Sequence, residues 1–295
     1  MTNILVIGAG TMGTQIALHC AMTGFSVKIY DIKEDMLQKS VQNMQMYLQA
    51  FMSKGIFTDE QCKGIMGRVT ATTDPVEAGK DADLVSESVP EDPALKGAVF
   101  SQFNAICPSE AIFTTNTSTL VPSMYAEATG RPEKFAAVHF HPPIWETKVV
   151  DIMPHPKTSQ ETMDALEQFV RSSNLIPIVL GKEHHSYVFN NMLNALLGSA
   201  TSLVVSDVAS FQDVDRAWMA IMNTQVGPFG IIDYIGVDTV YTVTKYWADT
   251  LQDPELKARV AYLEKYINEG ALGVKTLKGF YSYPDPEYAQ AGFIK

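Results

Sequence analysis

The chain has 295 residues, 46% of them hydrophobic, and carries 22 Lys and Arg against 33 Asp and Glu for a formal charge of −11. That length holds one large domain or two ordinary ones, and the apolar content is typical of a chain with a real core. The acidity argues against general binding of nucleic acid or anionic membrane, no 18-residue apolar run offers a membrane span, and any anionic substrate must be held by local groups.

The opening MTNILVIG reads as a first strand and not as a signal peptide, because it lacks a basic start and a cleavage site. β-rich runs at 4–8, 26–31, 84–88, 112–115, 135–140, 149–153 and 175–180 alternate with helical patterns at roughly 11–24, 33–54, 59–67, 93–105 and 159–172. The alternation predicts an α/β domain over 1–182, built on a mostly parallel, doubly wound Rossmann-type sheet. Strand signals then almost vanish. The run from Tyr187, YVFNNMLNALLGSATSLVVSD, has apolar residues at helical spacing, and helical patterns continue at roughly 213–223, 238–251 and 254–268. This predicts an all-α domain over 183–295, with an irregular Pro- and Tyr-rich tail after Phe280. Cys20, Cys62 and Cys107 form no CxxC pair, which predicts a reducing, cytoplasmic setting and no structural zinc.

Gly8-Ala9-Gly10-Thr11-Met12-Gly13 is a G-x-G-x-x-G that follows the first strand and opens a helix. Asp31 ends the second strand, 21 residues after Gly10, close to the expected ~20. Gly8 allows the tight turn, Gly10 admits a diphosphate, and Gly13 lets the helix pack close to the sheet. Asp31 can accept hydrogen bonds from ribose hydroxyls and would repel a 2′-phosphate, so the predicted cofactor is NAD, not NADP.

Hydride transfer from an alcohol needs a base for the hydroxyl proton. His139 ends a β-rich run, where strand ends line the ligand crevice of an open sheet; a structural histidine reads as well on spacing alone. Asp151, 12 residues on in an otherwise apolar strand, needs a partner, either His139 or a lysine such as Lys148. His139-x-His141 offers a metal pair, but no third ligand sits at useful spacing, so no metal is expected. His184-His185 falls at the domain joint and reads as hinge or surface. The segment TTNTSTL over 114–120 offers either substrate hydrogen bonds or a helix cap.

Taken in order, these residues resemble the L-3-hydroxyacyl-CoA dehydrogenase family. The resemblance runs nearly end to end, through GAGTMG and Asp31, SESVPEDPALK (86–96), TNTSTL (115–120), His139-Phe140, Asn190-Asn191, GPFGIIDYIGVD (227–238) and GVKTLKGFYSY (273–283). It implies that His139 is the catalytic base, that Asp151 takes the place of its glutamate partner, that Ser118 binds substrate and that Asn190 supports the site. It also implies cofactor contacts at Glu91, Lys96, Asn116 and Lys275, a two-domain chain, and a homodimer formed through the helical domain.

Three departures stand out. Asp151 is one methylene shorter than glutamate, so it must approach further or leave His139 less well oriented. The family's HFFNP reads His139-Phe140-His141-Pro142-Pro143, so Pro142 replaces an asparagine that donates to the cofactor, with His141 or a water as substitute. The family's CoA-holding lysines have no counterpart between 40 and 49, a stretch that keeps only Ser40. The resemblance implies a short L-3-hydroxyacyl-CoA such as 3-hydroxybutyryl-CoA as the first expected substrate, while the missing lysines favour a substrate without CoA. The alternative is the same chemistry on a non-CoA 3-hydroxy acid resembling L-gulonate or carnitine. A third reading is a non-catalytic NAD(H)-binding protein. The phosphogluconate and 3-hydroxyisobutyrate dehydrogenases share the glycine-rich start but use a catalytic lysine, which NNMLNALL lacks.

Overall fold

The computed structural model describes residues 1–294. The chain divides into two compact units, the first spanning Met1–Val188 and the second beginning at Phe189. The expected boundary after residue 182 falls six residues earlier. The difference is the joint segment, where Tyr187 packs with Ala137, Met153 and Leu180 of the first unit.

The first unit runs β1 (Asn3–Ile7), α1 (Thr11–Met22), β2 (Ser26–Tyr30), α2 (Glu34–Ser53), α3 (Asp59–Met66), β3 (Val69–Thr72), α4 (Pro75–Gly79) and β4 (Leu84–Glu87). It continues with α5 (Pro93–Asn104), β5 (Ile112–Thr115), β6 (Phe135–Phe140), α6 (Ile144–Thr147), β7 (Val149–Pro154), α7 (Gln160–Ser172) and β8 (Ile176–Val179). The eight strands form one sheet in the order β3-β2-β1-β4-β5-β6-β7-β8. Side chains of successive strand residues point to opposite faces. Along β1, Ile4 and Val6 enter a core with Ile16, Leu37, Met44 and Leu166, while Leu5 and Ile7 enter another with Phe100, Phe103 and Phe113. Both sheet faces are therefore covered, which is why this strand reads as a continuous apolar run.

β3 has no counterpart among the expected strands. Its sequence VTAT lies at the sheet edge and contributes little apolar surface, so no apolar pattern marks it. The reversal of direction also came from the fold. Strands β1 to β6 pair in parallel, whereas β7 returns antiparallel to β6 through the short α6, and β8 runs parallel to β7. That return places His139 directly opposite Asp151.

The second unit contains α8 (Phe189–Val205), α9 (Phe211–Met222), α10 (Pro228–Ile235), α11 (Val237–Leu251) and α12 (Pro254–Asn268). The helix α10 was not expected. Asp215 of α9 accepts hydrogen bonds from the Phe229 and Gly230 N–H groups at 2.8 and 3.0 Å, satisfying donors that a helix start leaves open. Asp233 accepts from the Phe280 and Tyr281 N–H groups, each at 2.9 Å. The motifs at 227–238 and 273–283 thus close around two buried carboxylates. A Cβ on Gly279 would sit 2.0 Å from Asp233 Oδ1, which explains a glycine there. The tail after Phe280 is irregular in backbone, yet Tyr281, Tyr288 and Phe293 pack into the core of this unit. Among the described residues no helix is long and apolar enough to cross a membrane.

Candidate active site

The glycine turn follows β1. Gly8 has φ +99°, a conformation that favours glycine, and its N–H donates to the Tyr30 carbonyl at 2.8 Å. A Cβ on Gly13 would lie 1.8 Å from the Gly8 oxygen, so helix and turn can meet only at a glycine. A Cβ on Gly10 would meet nothing within 4 Å. Open space at Gly10, in front of the α1 N-terminus and its residues Thr11 and Met12, fits a diphosphate. Asp31 lies beside this turn, with Oδ2 accepting from Ala9 N–H at 2.9 Å and Oδ1 from Lys33 N–H at 3.0 Å. These residues fit the adenosine and diphosphate parts of NAD.

A buried ionic relay backs the next strand ends. Lys96 Nζ donates to both Glu87 oxygens at 2.7 and 3.0 Å and to the Val89 carbonyl at 3.3 Å. The Lys96 and Glu87 side chains are 1% and 0% exposed. Burial pushes the Glu87 carboxyl above its ordinary range, and the Lys96 charge pulls the other way. Lys96 also lies 3.4 Å from Glu91, whose Oε1 accepts from Thr117 Oγ1 at 2.8 Å and Ser118 N–H at 2.9 Å. The resemblance implied a cofactor contact for Lys96. Its ammonium is instead sealed inside, where it holds Glu91 and, through it, the Ser118 turn. Asn116 Oδ1 accepts from Phe140 N–H at 2.9 Å and ties the end of β5 to β6.

Asp151 partners two histidines. His139 Nδ1 lies 3.4 Å from Asp151 Oδ2, and His141 Nε2 lies 2.8 Å from the same oxygen. An ionised carboxylate only accepts, so both ring nitrogens donate. A neutral His139 then carries its lone pair on Nε2. The 3.4 Å separation is long for a hydrogen bond, as the shorter aspartate foreshadowed. Burial lowers the His139 pKa, with the Asp151 contact opposing that shift. Burial acts to raise the Asp151 pKa, but hydrogen bonds from His139 and His141 outweigh it and leave it lowered. The lysine alternative for Asp151 gains no support from this geometry.

Two expectations change here. His141 was a candidate substitute for the missing asparagine, and it turns to Asp151 instead. The metal reading was set aside for want of a third ligand, yet His139, His141 and Asp151 bring one ligand atom each to within 4.8 Å of one another. Sequence spacing hid the third group because strand pairing supplies it.

Tyr187 was missed altogether. Its ring stacks on His139 with centroids 4.7 Å apart, and its hydroxyl donates to the Thr117 carbonyl at 2.6 Å. It thereby joins His139 to the Ser118 turn, and only its place in the joint segment hinted at a role. In the second unit, Asn190 is half-buried in the first turn of α8. Lys275 Nζ lies 2.6 Å from both oxygens of Asp238, and the hydrogen bond holds the Asp238 carboxyl below its ordinary range.

Known proteins resemble this chain in sequence and fold. The sequence profile for "3-hydroxyacyl-CoA dehydrogenase, NAD binding domain" matches residues 3–184, and that for "3-hydroxyacyl-CoA dehydrogenase, C-terminal domain" matches residues 187–283. The mitochondrial hydroxyacyl-coenzyme A dehydrogenase of Homo sapiens is 30% identical over 286 residues, 95% of this chain and 91% of the relative. Among solved structures, a diketoreductase acting on dicarbonyl compounds has 34% identity and a TM-score of 0.89, covering 96% of this chain and 99% of its own. The (S)-3-hydroxybutyryl-CoA dehydrogenase of Ralstonia eutropha has 27% identity and a TM-score of 0.87, covering 97% of this chain and 100% of its own.

Proposed function

The chain belongs to the 3-hydroxyacyl-CoA dehydrogenase family and is an NAD-dependent oxidoreductase, and we propose that it interconverts a short L-3-hydroxyacyl-CoA and its 3-oxo form with His139 as base. The observation that carries the base assignment is His139 facing Asp151 across the β6–β7 pair at the end of a central strand. NAD, when bound at the Gly8–Gly13 turn and Asp31, supplies the hydride acceptor. Asp151 takes the Nδ1 proton as hydrogen-bond acceptor, which leaves Nε2 free to receive the substrate hydroxyl proton. Tyr187 and the Asn116 link fix the approach of His139 to the Ser118 turn. Ser118 and Asn190 are assigned to the substrate oxygen. Glu91, Asn116 and Lys275 are assigned to the cofactor, and Lys96 acts through Glu91.

A second reading has its own support. Over 40–49 the exposed residues of α2 are Gln42, Gln45, Met46 and Gln49, none of them charged. Trp145 packs on Tyr47 and Phe51 of the same helix, with centroids 4.8 and 5.2 Å apart. A CoA phosphate usually needs a charge-assisted contact, and this stretch offers none. The similarity to a diketoreductase brings dicarbonyl compounds into the range of substrates to be tried.

A homodimer through the helical unit fits the apolar side chains it exposes, among them Met192, Val208 and Ile221. A reducing cytoplasmic setting fits three free, buried cysteines.

The deciding experiment is NADH oxidation with acetoacetyl-CoA, acetoacetate, dehydrocarnitine, a 3-oxo sugar acid and a simple diketone in parallel. Turnover of acetoacetyl-CoA alone supports the first reading, and turnover of free dicarbonyls alone supports the second. His139→Ala is expected to abolish turnover while retaining NADH binding. NADH binding with no turnover on any substrate would return the chain to the non-catalytic reading.

A further inference from the structure

We propose that His139, His141 and Asp151 form a site for one divalent transition-metal ion of the zinc class, and that its occupation switches off the base. Only the inhibitory half rests on the reading of His139 as base.

The β6–β7 register sets His139 opposite Asp151. The chain turns at Pro142-Pro143 just after His141, whose ring lies edge-on to His139 with centroids 4.4 Å apart. One ligand atom from each of the three residues lies within 4.8 Å of the other two. Zinc at ~2.0–2.1 Å from tetrahedral ligands sets them about 3.3 Å apart. Asp151 Oδ2 already lies 3.4 Å from His139 Nδ1 and 2.8 Å from His141 Nε2. Small ring rotations therefore convert the hydrogen-bonded cluster into two imidazoles and a carboxylate around one ion. Two histidines and one carboxylate match the number and type of protein ligands that zinc takes in sites with exchangeable water. Asp151 and His139 are 2% and 8% exposed in their side chains and His141 is 15% exposed, so His141 forms the corner nearest solvent.

The consequence follows from proton placement. At present Nδ1 of His139 carries the proton toward Asp151. A metal takes the Nδ1 lone pair, so the ring proton moves to Nε2 and the tautomer reverses. An Nε2–H group cannot accept a hydroxyl proton. His141 makes the matching change, its proton moving from Nε2 to Nδ1, and no net proton is required.

The test uses the full chain freed of metal by chelator dialysis. Zn2+ binding is measured by titration calorimetry, Co2+ binding by visible absorption, and turnover is followed alongside. The expected result is one ion per chain, with inhibition that EDTA reverses. His141→Asn, with His141→Gln as a second variant, is expected to weaken Zn2+ binding at least about 100-fold, more than loss of an outer partner costs. A His184→Ala/His185→Ala double variant controls for adventitious surface binding and is expected to keep the wild-type affinity. Binding that survives both His141 variants, or that vanishes with His184 and His185, overturns the site. Binding that depends on His141 but leaves turnover untouched upholds the site and overturns the base assignment.

Discussion

Replacing Asp151 by Asn removes one charge and almost no volume, so it isolates what the carboxylate does for His139. Asp151 Oδ2 is the common acceptor for His139 Nδ1 at 3.4 Å and His141 Nε2 at 2.8 Å. A hydrogen bond to a charged group contributes ~1.5–3 kcal/mol, against ~1 kcal/mol for a neutral one. The His139 contact exceeds the ~2.7–2.9 Å of a strong charge-assisted bond, so its share belongs near the lower end. Exchanging ~1.5–2 kcal/mol for the ~1 kcal/mol of a neutral bond loses ~0.5–1 kcal/mol, and at ~1.36 kcal/mol per tenfold in rate this predicts a fall in kcat of roughly 2- to 5-fold. The assay is steady-state turnover on whichever carbonyl compound proves best, with NADH affinity measured by fluorescence in parallel. Affinity should hold within about twofold, because Asp151 is not among the residues of the glycine turn. An unchanged kcat would refute the role given to Asp151, and so would a matching loss of NADH affinity.

Other outcomes follow from the same structure. Lys96→Met strands Glu87 as an uncompensated buried carboxylate, and breaking such a pair costs ~3–5 kcal/mol, to be read by urea unfolding; an unchanged midpoint would mean Glu87 is neutral in the fold. Asp31→Ala should weaken NADH binding more than NADPH binding, and equal losses in fluorescence titrations would remove Asp31 from the ribose. Burial holds the His19 imidazole below its ordinary pKa, while its Nε2–H donates to the Ser173 carbonyl at 2.8 Å. The unfolded chain then binds this proton more readily than the native one, so His19 contributes stability that is lost as pH falls below ~6.5. Unfolding free energies at neutral and mildly acid pH should diverge more in the wild type than in His19→Gln; parallel changes would discount the burial.

The sequence by itself determined the parts that local chemistry controls. An apolar run, three glycines at fixed offsets and a carboxylate after the second strand specify a strand–turn–helix that only one backbone geometry satisfies. Gly8 takes positive φ, and Gly13 touches the Gly8 carbonyl, because the turn leaves no room for anything larger. The fading of β-rich runs into helical spacing likewise marked a helical second half. Asp151 stood out as a carboxylate needing a partner, but its choice between His139 and Lys148 depended on strand direction. Only an antiparallel return of β7 brings His139 and Asp151 face to face, and nothing in VVDIM encodes direction. The same is true of His141, which spacing left as one half of a metal pair, and of Tyr187, which sits 48 residues from the His139 ring it stacks on. Lys96 gives the clearest contrast: in sequence the resemblance made it a cofactor contact, and in the fold it is the buried counterion of Glu87. Periodicity reports which face of an element is apolar. Which charges end up sharing a dry interior is fixed by register and crossover, and those exist only once the sheet has formed.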